Sequence, residues 1–216
     1  MTAVSGFVFL RLINQLVDAR SNEKLHFIYA GEYKGIYDLD EDGLVEFHRQ
    51  RINHIAQHLL KSKHLIAFET IPNVTEVKAL IRLIEQYDDL NAWLSFSCRD
   101  EKCIADGTPI EQIVELVRGV KQIFAIGVNC VQPEYVEGLL QRMKQAKPNK
   151  LLLIYPNNGD VYDEKTRTFS ANSLRLNYID KVSEWRTKYD LAIIGGCCRI
   201  GPKEIARIRS FFVQQS

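Results

Sequence analysis

Leu65-Ile66-Ala67-Phe68-Glu69-Thr70-Ile71-Pro72-Asn73-Val74-Thr75-Glu76 is where the chain settles into a rhythm. Leu65 to Phe68 is an apolar run short enough for a strand covered on both faces. Glu69 to Pro72 reads as a loop. Asn73, with Glu76 three positions on, has the spacing of a capping box for a helix reaching Gln86. The same order then recurs. Ala92 to Ser97 predicts a strand, and its loop ends in Asp106-Gly107-Thr108-Pro109-Ile110-Glu111, which predicts a helix with Thr108 as N-cap and Pro109 as first residue. Phe124 to Val128, Leu151 to Tyr155 and Leu191 to Gly195 open three more units. Their helices carry inward stripes at Val136, Leu139 and Leu140, at Val182 and Trp185, and at Ile205 and Ile208.

Five βα units of roughly 30 residues each, with strands this apolar, make an α/β parallel sheet under helices. A run of equal units without the G-x-G-x-x-G turn of a nucleotide fold predicts a (β/α)8 barrel of the TIM type rather than a doubly wound sheet. A whole barrel takes roughly 250 residues, so three further units would need about 90. Only 64 residues precede Leu65. The expectation is an incomplete barrel, a single domain over residues 1–216. Phe7, Leu10, Leu12, Ile13, Leu16 and Val17 have mostly helical spacing, so 1–29 reads as an amphipathic helix and connector, with Leu25 to Tyr29 also fitting a short strand. From Leu44 a long helix is expected, capped by Asp40 or Asp42.

The chain has 46% hydrophobic and 25% charged residues and a formal net charge of +1, the balance of an ordinary globular protein. Nothing in that charge favours nucleic acid or an anionic membrane as partner. Arg11 interrupts the apolar Phe7-Val8-Phe9-Leu10 before it could form a signal core or a membrane span, so a cytoplasmic location is expected. Five cysteines, Cys98, Cys103, Cys130, Cys197 and Cys198, are an odd number without a secretory signal, which favours reduced thiols over a disulfide framework. Cys98 and Cys103 read as small packed hydrophobes.

Glu69, Cys130, Cys197 and Cys198 each lie where a strand gives way to its loop, and barrel geometry places such residues at one mouth. Three thiolates on Zn²⁺ would leave one tetrahedral position open, as in a catalytic site. A thiol entering that position loses its proton. Read alone, Cys197-Cys198 also fits a vicinal disulfide or two packed thiols, Cys130 a small core residue, and Glu69 a salt-bridge partner. The Cys-x-x-Cys spacing of a redox motif is absent.

Ala67-Phe68-Glu69-Thr70-Ile71-Pro72-Asn73, Asp106-Gly107-Thr108, Gly127-Val128-Asn129-Cys130, Tyr155-Pro156-Asn157-Asn158-Gly159-Asp160-Val161-Tyr162-Asp163 and Gly195-Gly196-Cys197-Cys198-Arg199 together resemble the homocysteine S-methyltransferase family. The likeness runs from Ala30 to Ile208 and is closest to the branch that uses S-methylmethionine or, less readily, S-adenosylmethionine. It implies a zinc-dependent barrel enzyme with Cys130, Cys197 and Cys198 on the metal. Homocysteine would bind through its sulfur, with its amino group on Glu69, and take a methyl group from the sulfonium donor to give methionine. Asp160 would face the donor's positive charge or sit in a solvated turn. Family members begin with a strand bearing an Asp-Gly-rich loop, and nothing in residues 1–29 resembles it. The resemblance therefore leaves a second reading, a truncated non-catalytic paralogue or fragment that keeps a zinc-binding or assembly role and self-associates through an unclosed barrel.

Overall fold

The computed structural model describes residues 9–13, 34–36, 38–59, 65–163, 166, 168–170 and 178–213. In chain order the elements are β1 (Phe9–Ile13), α1 (Glu41–Leu59), β2 (Leu65–Ile71), α2 (Val74–Ile84), β3 (Asn91–Phe96), α3 (Ile110–Val117), β4 (Ile123–Asn129), α4 (Pro133–Gln145) and β5 (Leu151–Tyr155). They continue with β6 (Val161–Asp163), β7 (Thr168–Ser170), α5 (Tyr178–Tyr189), β8 (Leu191–Ile194) and α6 (Pro202–Val213). Strands β1, β2, β3, β4, β5 and β8 form one six-stranded sheet in that order, with every pair parallel. Each new strand adds beside its predecessor, and the order never reverses. A doubly wound sheet must reverse at its switch point, so this succession is that of a (β/α)8-type barrel, of which six adjacent strands are present among the described residues.

The five units expected from Leu65 onward are all present, and a sixth strand precedes them. Phe9–Ile13 is a strand, where helical spacing had been expected: it pairs parallel with β2, from Phe9 beside Leu65 to Ile13 beside Glu69. Five residues with four apolar side chains satisfy either period, and the hydrogen-bonding edge of β2 decides between them. The possible strand over Leu25 to Tyr29 lies outside the described residues. Within the loop after β5, β6 and β7 pair as a small antiparallel hairpin.

Two of the expected helix caps form. Asp40 Oδ1 accepts from the Gly43 N–H at 2.8 Å ahead of α1, and Asn73 Oδ1 accepts from the Glu76 N–H at 2.8 Å in the first turn of α2. The Glu76 carboxylate is turned toward α1 and meets His48 Nε2 at 2.9 Å, both residues fully buried. The Thr108 cap does not form. Pro109 occupies the N-cap position of α3 with no side-chain cap bond. The turn is held instead by Asp106, whose Oδ1 accepts from the Thr108 N–H (2.7 Å) and whose Oδ2 accepts from the Val74 N–H (2.8 Å), tying the loop after β3 to the start of α2. A carboxylate accepts more strongly than a hydroxyl, which explains the exchange.

Alternation along the strands gives the sheet two unlike faces. Phe68, Leu94, Ile126, Val128 and Ile154 face the helices, where they pack with Leu80, Val117, Leu139 and Trp185 in the main core. On the opposite face Ala67, Trp93, Ala125 and Leu153 form a small second cluster, against which Tyr155 and Ile193 pack. Gly127 lies between Ser95 of β3 and Leu153 of β5. A Cβ there would stand 1.7 Å from the Leu153 carbonyl oxygen, so no other residue fits. No helix among the described residues is long and apolar enough to cross a membrane.

Candidate functional site

The polar chemistry gathers at the C-terminal ends of the strands. β4 runs into Cys130, which adopts a left-handed φ of 50°, uncommon for a residue with a side chain. β8 runs through Gly195 and Gly196 into Cys197 and Cys198. At Gly196 a Cβ would lie 2.1 Å from Ile200 Cγ2, so the turn presenting the two cysteines closes only on glycine. Backbone hydrogen bonds join both turns to the loop after β5: Cys130 N–H to Tyr155 O (3.2 Å), Cys197 N–H to Pro156 O (2.8 Å) and Asn158 N–H to Cys198 O (3.1 Å). The side chain of Asn157 completes the arrangement. Its Nδ2 donates to the Cys130 carbonyl at 3.2 Å, and its Oδ1 accepts from the Cys198 N–H at 3.2 Å.

The three sulfurs of Cys130, Cys197 and Cys198 lie within 4.8 Å of one another. Cys130 and Cys197, 67 residues apart, are joined as a disulfide, while Cys198 is a free thiol. This corrects the expectation of five reduced cysteines: two thiols brought to one point by separate strands are within reach of each other as well as of a shared ion. Once reduced, the set fits a zinc ion. Tetrahedral ligands about 2.3 Å from zinc stand about 3.8 Å apart, inside the spread of these sulfurs, and all three donors are of the thiolate type that zinc favours.

Glu69, near the end of β2, is buried. Thr70 beside it takes a φ of 61°, strained for a β-branched residue, and is held there by Asn129. The Thr70 N–H donates to Asn129 Oδ1 at 2.9 Å, and Asn129 Nδ2 donates to Thr70 Oγ1 at 2.7 Å. Asn129 directly precedes Cys130. One reciprocal pair of bonds thus fixes the carboxylate-bearing strand end against the end that carries the first sulfur. Tyr155 reaches into the same region. Its hydroxyl accepts from the Trp93 indole N–H at 3.3 Å and shares a hydrogen bond with the Ser95 hydroxyl. Burial, and then the charge of Glu69, push the Tyr155 hydroxyl well above the ordinary tyrosine range, so it stays a neutral donor.

Asp160 is only 5% exposed and accepts from Arg199 Nε at 3.2 Å and Asn158 Nδ2 at 2.9 Å. It is not a solvated turn residue, and Arg199 balances its charge. Cys98 and Cys103 are half-buried free thiols; burial, then the charges of Asp100 and Cys103, push the Cys98 thiol well above its ordinary value, which keeps it protonated. Asn157, Asn129, Thr70, Trp93 and Ser95 were given no role from the sequence. Asn157, Asn129 and Thr70 do lie within the quoted motifs, and a polar residue at the end of an apolar run was the signal available.

Residues 16–212 match the family model described as Homocysteine S-methyltransferase, a wider span than the motifs alone marked out. The chain is 35% identical over 182 residues to Homocysteine S-methyltransferase YbgG of Bacillus subtilis, covering 84% of this chain and 56% of that protein. With Homocysteine S-methyltransferase 3 of Arabidopsis thaliana it shares 35% identity over 184 residues, 83% of this chain and 52% of the relative. The crystal structures of the homocysteine methyltransferase MmuM from Escherichia coli, in metallated and oxidized forms, each superpose with a TM-score of 0.69 at 31% identity, covering 84% of this chain and 56% of theirs. The chain therefore spans a little over half the length of the curated relatives it matches. With the succession of strands, the cysteines at the ends of β4 and β8 and the match over most of its length, this chain belongs to the homocysteine S-methyltransferase family.

Proposed function

We propose that the chain is a single cytoplasmic domain that transfers a methyl group from a sulfonium donor, S-methylmethionine or S-adenosylmethionine, to homocysteine, giving methionine. The observation that carries this reading is the convergence of three cysteine sulfurs within 4.8 Å at the ends of β4 and β8. Cys130, Cys197 and Cys198 would hold Zn²⁺, which when bound keeps a substrate thiol deprotonated near neutral pH.

Glu69 would receive the amino group of homocysteine, a charge-assisted contact that fixes the direction of the substrate. The Thr70–Asn129 bonds hold that carboxylate in register with Cys130, and Asn157 holds Cys130 in register with Cys198. Such positioning is worth a large share of the rate in a displacement between two bound molecules. The homocysteine sulfur forms a bond to the methyl carbon as the donor's carbon–sulfur bond breaks. That electron pair stays on the departing sulfur, which leaves as a neutral thioether, so no general base is required. Asp160, neutralised by Arg199, is not assigned to the donor.

The test is methionine formation by the reduced, zinc-loaded chain from homocysteine and S-methylmethionine, with S-adenosylmethionine as alternative donor. Activity that disappears in Cys130→Ser is the expected result. A chain that holds about one zinc and forms no methionine with either donor overturns the catalytic reading. Among the described residues the sheet ends at β1 and β8 without closing, which favours one second reading, a non-catalytic member with a zinc-binding or assembly role, for which light scattering would find self-association.

A further inference from the structure

We propose that a β-bulge at Glu69 and Thr70, clasped by Asn129, couples the metal centre to the pocket for the substrate's amino group, so that zinc and the amino acid each tighten the other's binding. The coupling rests on the reading of Cys130 as a zinc ligand and of Glu69 as the holder of that amino group. Strand β2 pairs with β3 up to Phe68, which lies beside Leu94, and again at Ile71, which lies beside Phe96. Glu69 and Thr70 therefore stand opposite one residue, Ser95, and the surplus residue makes a bulge. Packing agrees with the pairing. Phe68 and Ile71 both enter the main core, although a spacing of three would send them to opposite faces of a regular strand. Thr70 takes up the irregularity with its φ of 61°.

Such a backbone persists only where its surroundings hold it. Here the holder is Asn129, fully buried at the end of β4, on the far side of β3 from the bulge. The Thr70 N–H can only donate, so the amide oxygen of Asn129 faces it at 2.9 Å and the amide nitrogen faces Thr70 Oγ1 at 2.7 Å. The residue after Asn129 is Cys130, itself left-handed at a φ of 50°, and the residue before Thr70 is Glu69. An ion on Cys130 fixes the end of β4, and with it the amide that keeps the bulge. An ammonium group on Glu69 favours the same bulged strand end from the other side. The bulge, clasped or relaxed, is the element that both sites bias. Each ligand thus prepares the site for the other, by factors that linkage makes equal.

The probe is 2-aminobutanoate, which is homocysteine with hydrogen in place of its thiol group and so has no sulfur to offer the metal. Calorimetric titration of the reduced chain, with zinc bound and with zinc removed, should show the loaded form binding 2-aminobutanoate about fivefold more tightly. Chelator competition should show zinc held about fivefold more tightly in saturating 2-aminobutanoate, the same factor read from the other side. Thr70→Val keeps the shape of the side chain but removes the oxygen that Asn129 grips, and the two affinities should then become independent to within about twofold. Thr70→Ser keeps the oxygen and should keep the coupling. Thr70→Ala carries the test if Thr70→Val does not fold. Independence in wild type overturns this inference alone, and so does coupling that survives loss of the oxygen, as a purely electrostatic effect of the ion would. Binding of 2-aminobutanoate that is absent in wild type, or unchanged in Glu69→Gln, overturns the role of Glu69 and the inference with it.

Discussion

Asn157 joins two strand ends through a single amide, donating to the Cys130 carbonyl and accepting from the Cys198 N–H. Asn157→Ala removes both bonds and frees the two cysteines to drift apart. Zinc retention, followed by competition with a chelator, should fall by about 10- to 100-fold, the usual cost of losing a group that orients metal ligands. Asp100 gives a pH-dependent counterpart in the loop after β3. Burial tends to raise its carboxyl, but the Lys102 and Cys103 N–H groups at 2.7 and 2.8 Å, with Arg99, hold it below its ordinary value of 3.8. A depressed pKa in the folded state contributes stability above the ordinary value, and that stability is lost as pH falls through the folded value. Asp100→Ala should therefore be less stable than wild type to urea at pH 7, and the gap should narrow as pH falls below that ordinary value. At this scale the sequence was legible where residue types are rare. Cysteines and a glutamate at strand ends are conspicuous, but an asparagine in a loop gains meaning only from partners that the fold brings to it, as Cys198 is brought to Asn157.

The pairing of α1 with α2 turns on His48 and Glu76, fully buried and 2.9 Å apart. His48→Ala leaves a buried acceptor short of a partner and should cost about 2 kcal/mol in urea unfolding. A more severe lesion is available in the sheet. Gly127→Ala drives a methyl group into the Leu153 carbonyl, and β4 and β5 must part to admit it. A loss of about 3 kcal/mol or more is expected, read as a lower urea midpoint or as failure to recover folded chain. The strands β2, β3, β4, β5 and β8 could be located from sequence because short apolar runs closed by polar or turn-forming residues and recurring unit after unit admit few other readings. β1 could not, since its five residues suit helix and strand alike and only the neighbouring edge of β2 separates them. The Thr108 cap failed for a similar reason: Asp106, two residues earlier, competes for the same turn from a position that propensity alone does not weigh.

For the molecule as a whole, the order of the sheet followed from successive βα units without the turn of a nucleotide fold, a pattern that right-handed crossovers lay side by side in a barrel. The oxidised Cys130–Cys197 pair was not legible, since it depends on how closely two distant strand ends approach. Metal binding should register on the entire fold. An ion that binds only the folded, reduced chain stabilises it by roughly 4 kcal/mol at a thousand times its dissociation constant. Thermal unfolding in a reductant should therefore move upward on adding zinc, and Cys130→Ser should abolish the shift. The two unlike faces of the sheet have one more consequence. Most of the apolar side chains lie between strands and helices, while the groups assigned to substrate lie on the other face and at the strand tips. Inherited changes at those tips can alter which molecules are accepted and still leave a chain that survives in the cell, so lineages can explore new chemistry there without first losing the protein.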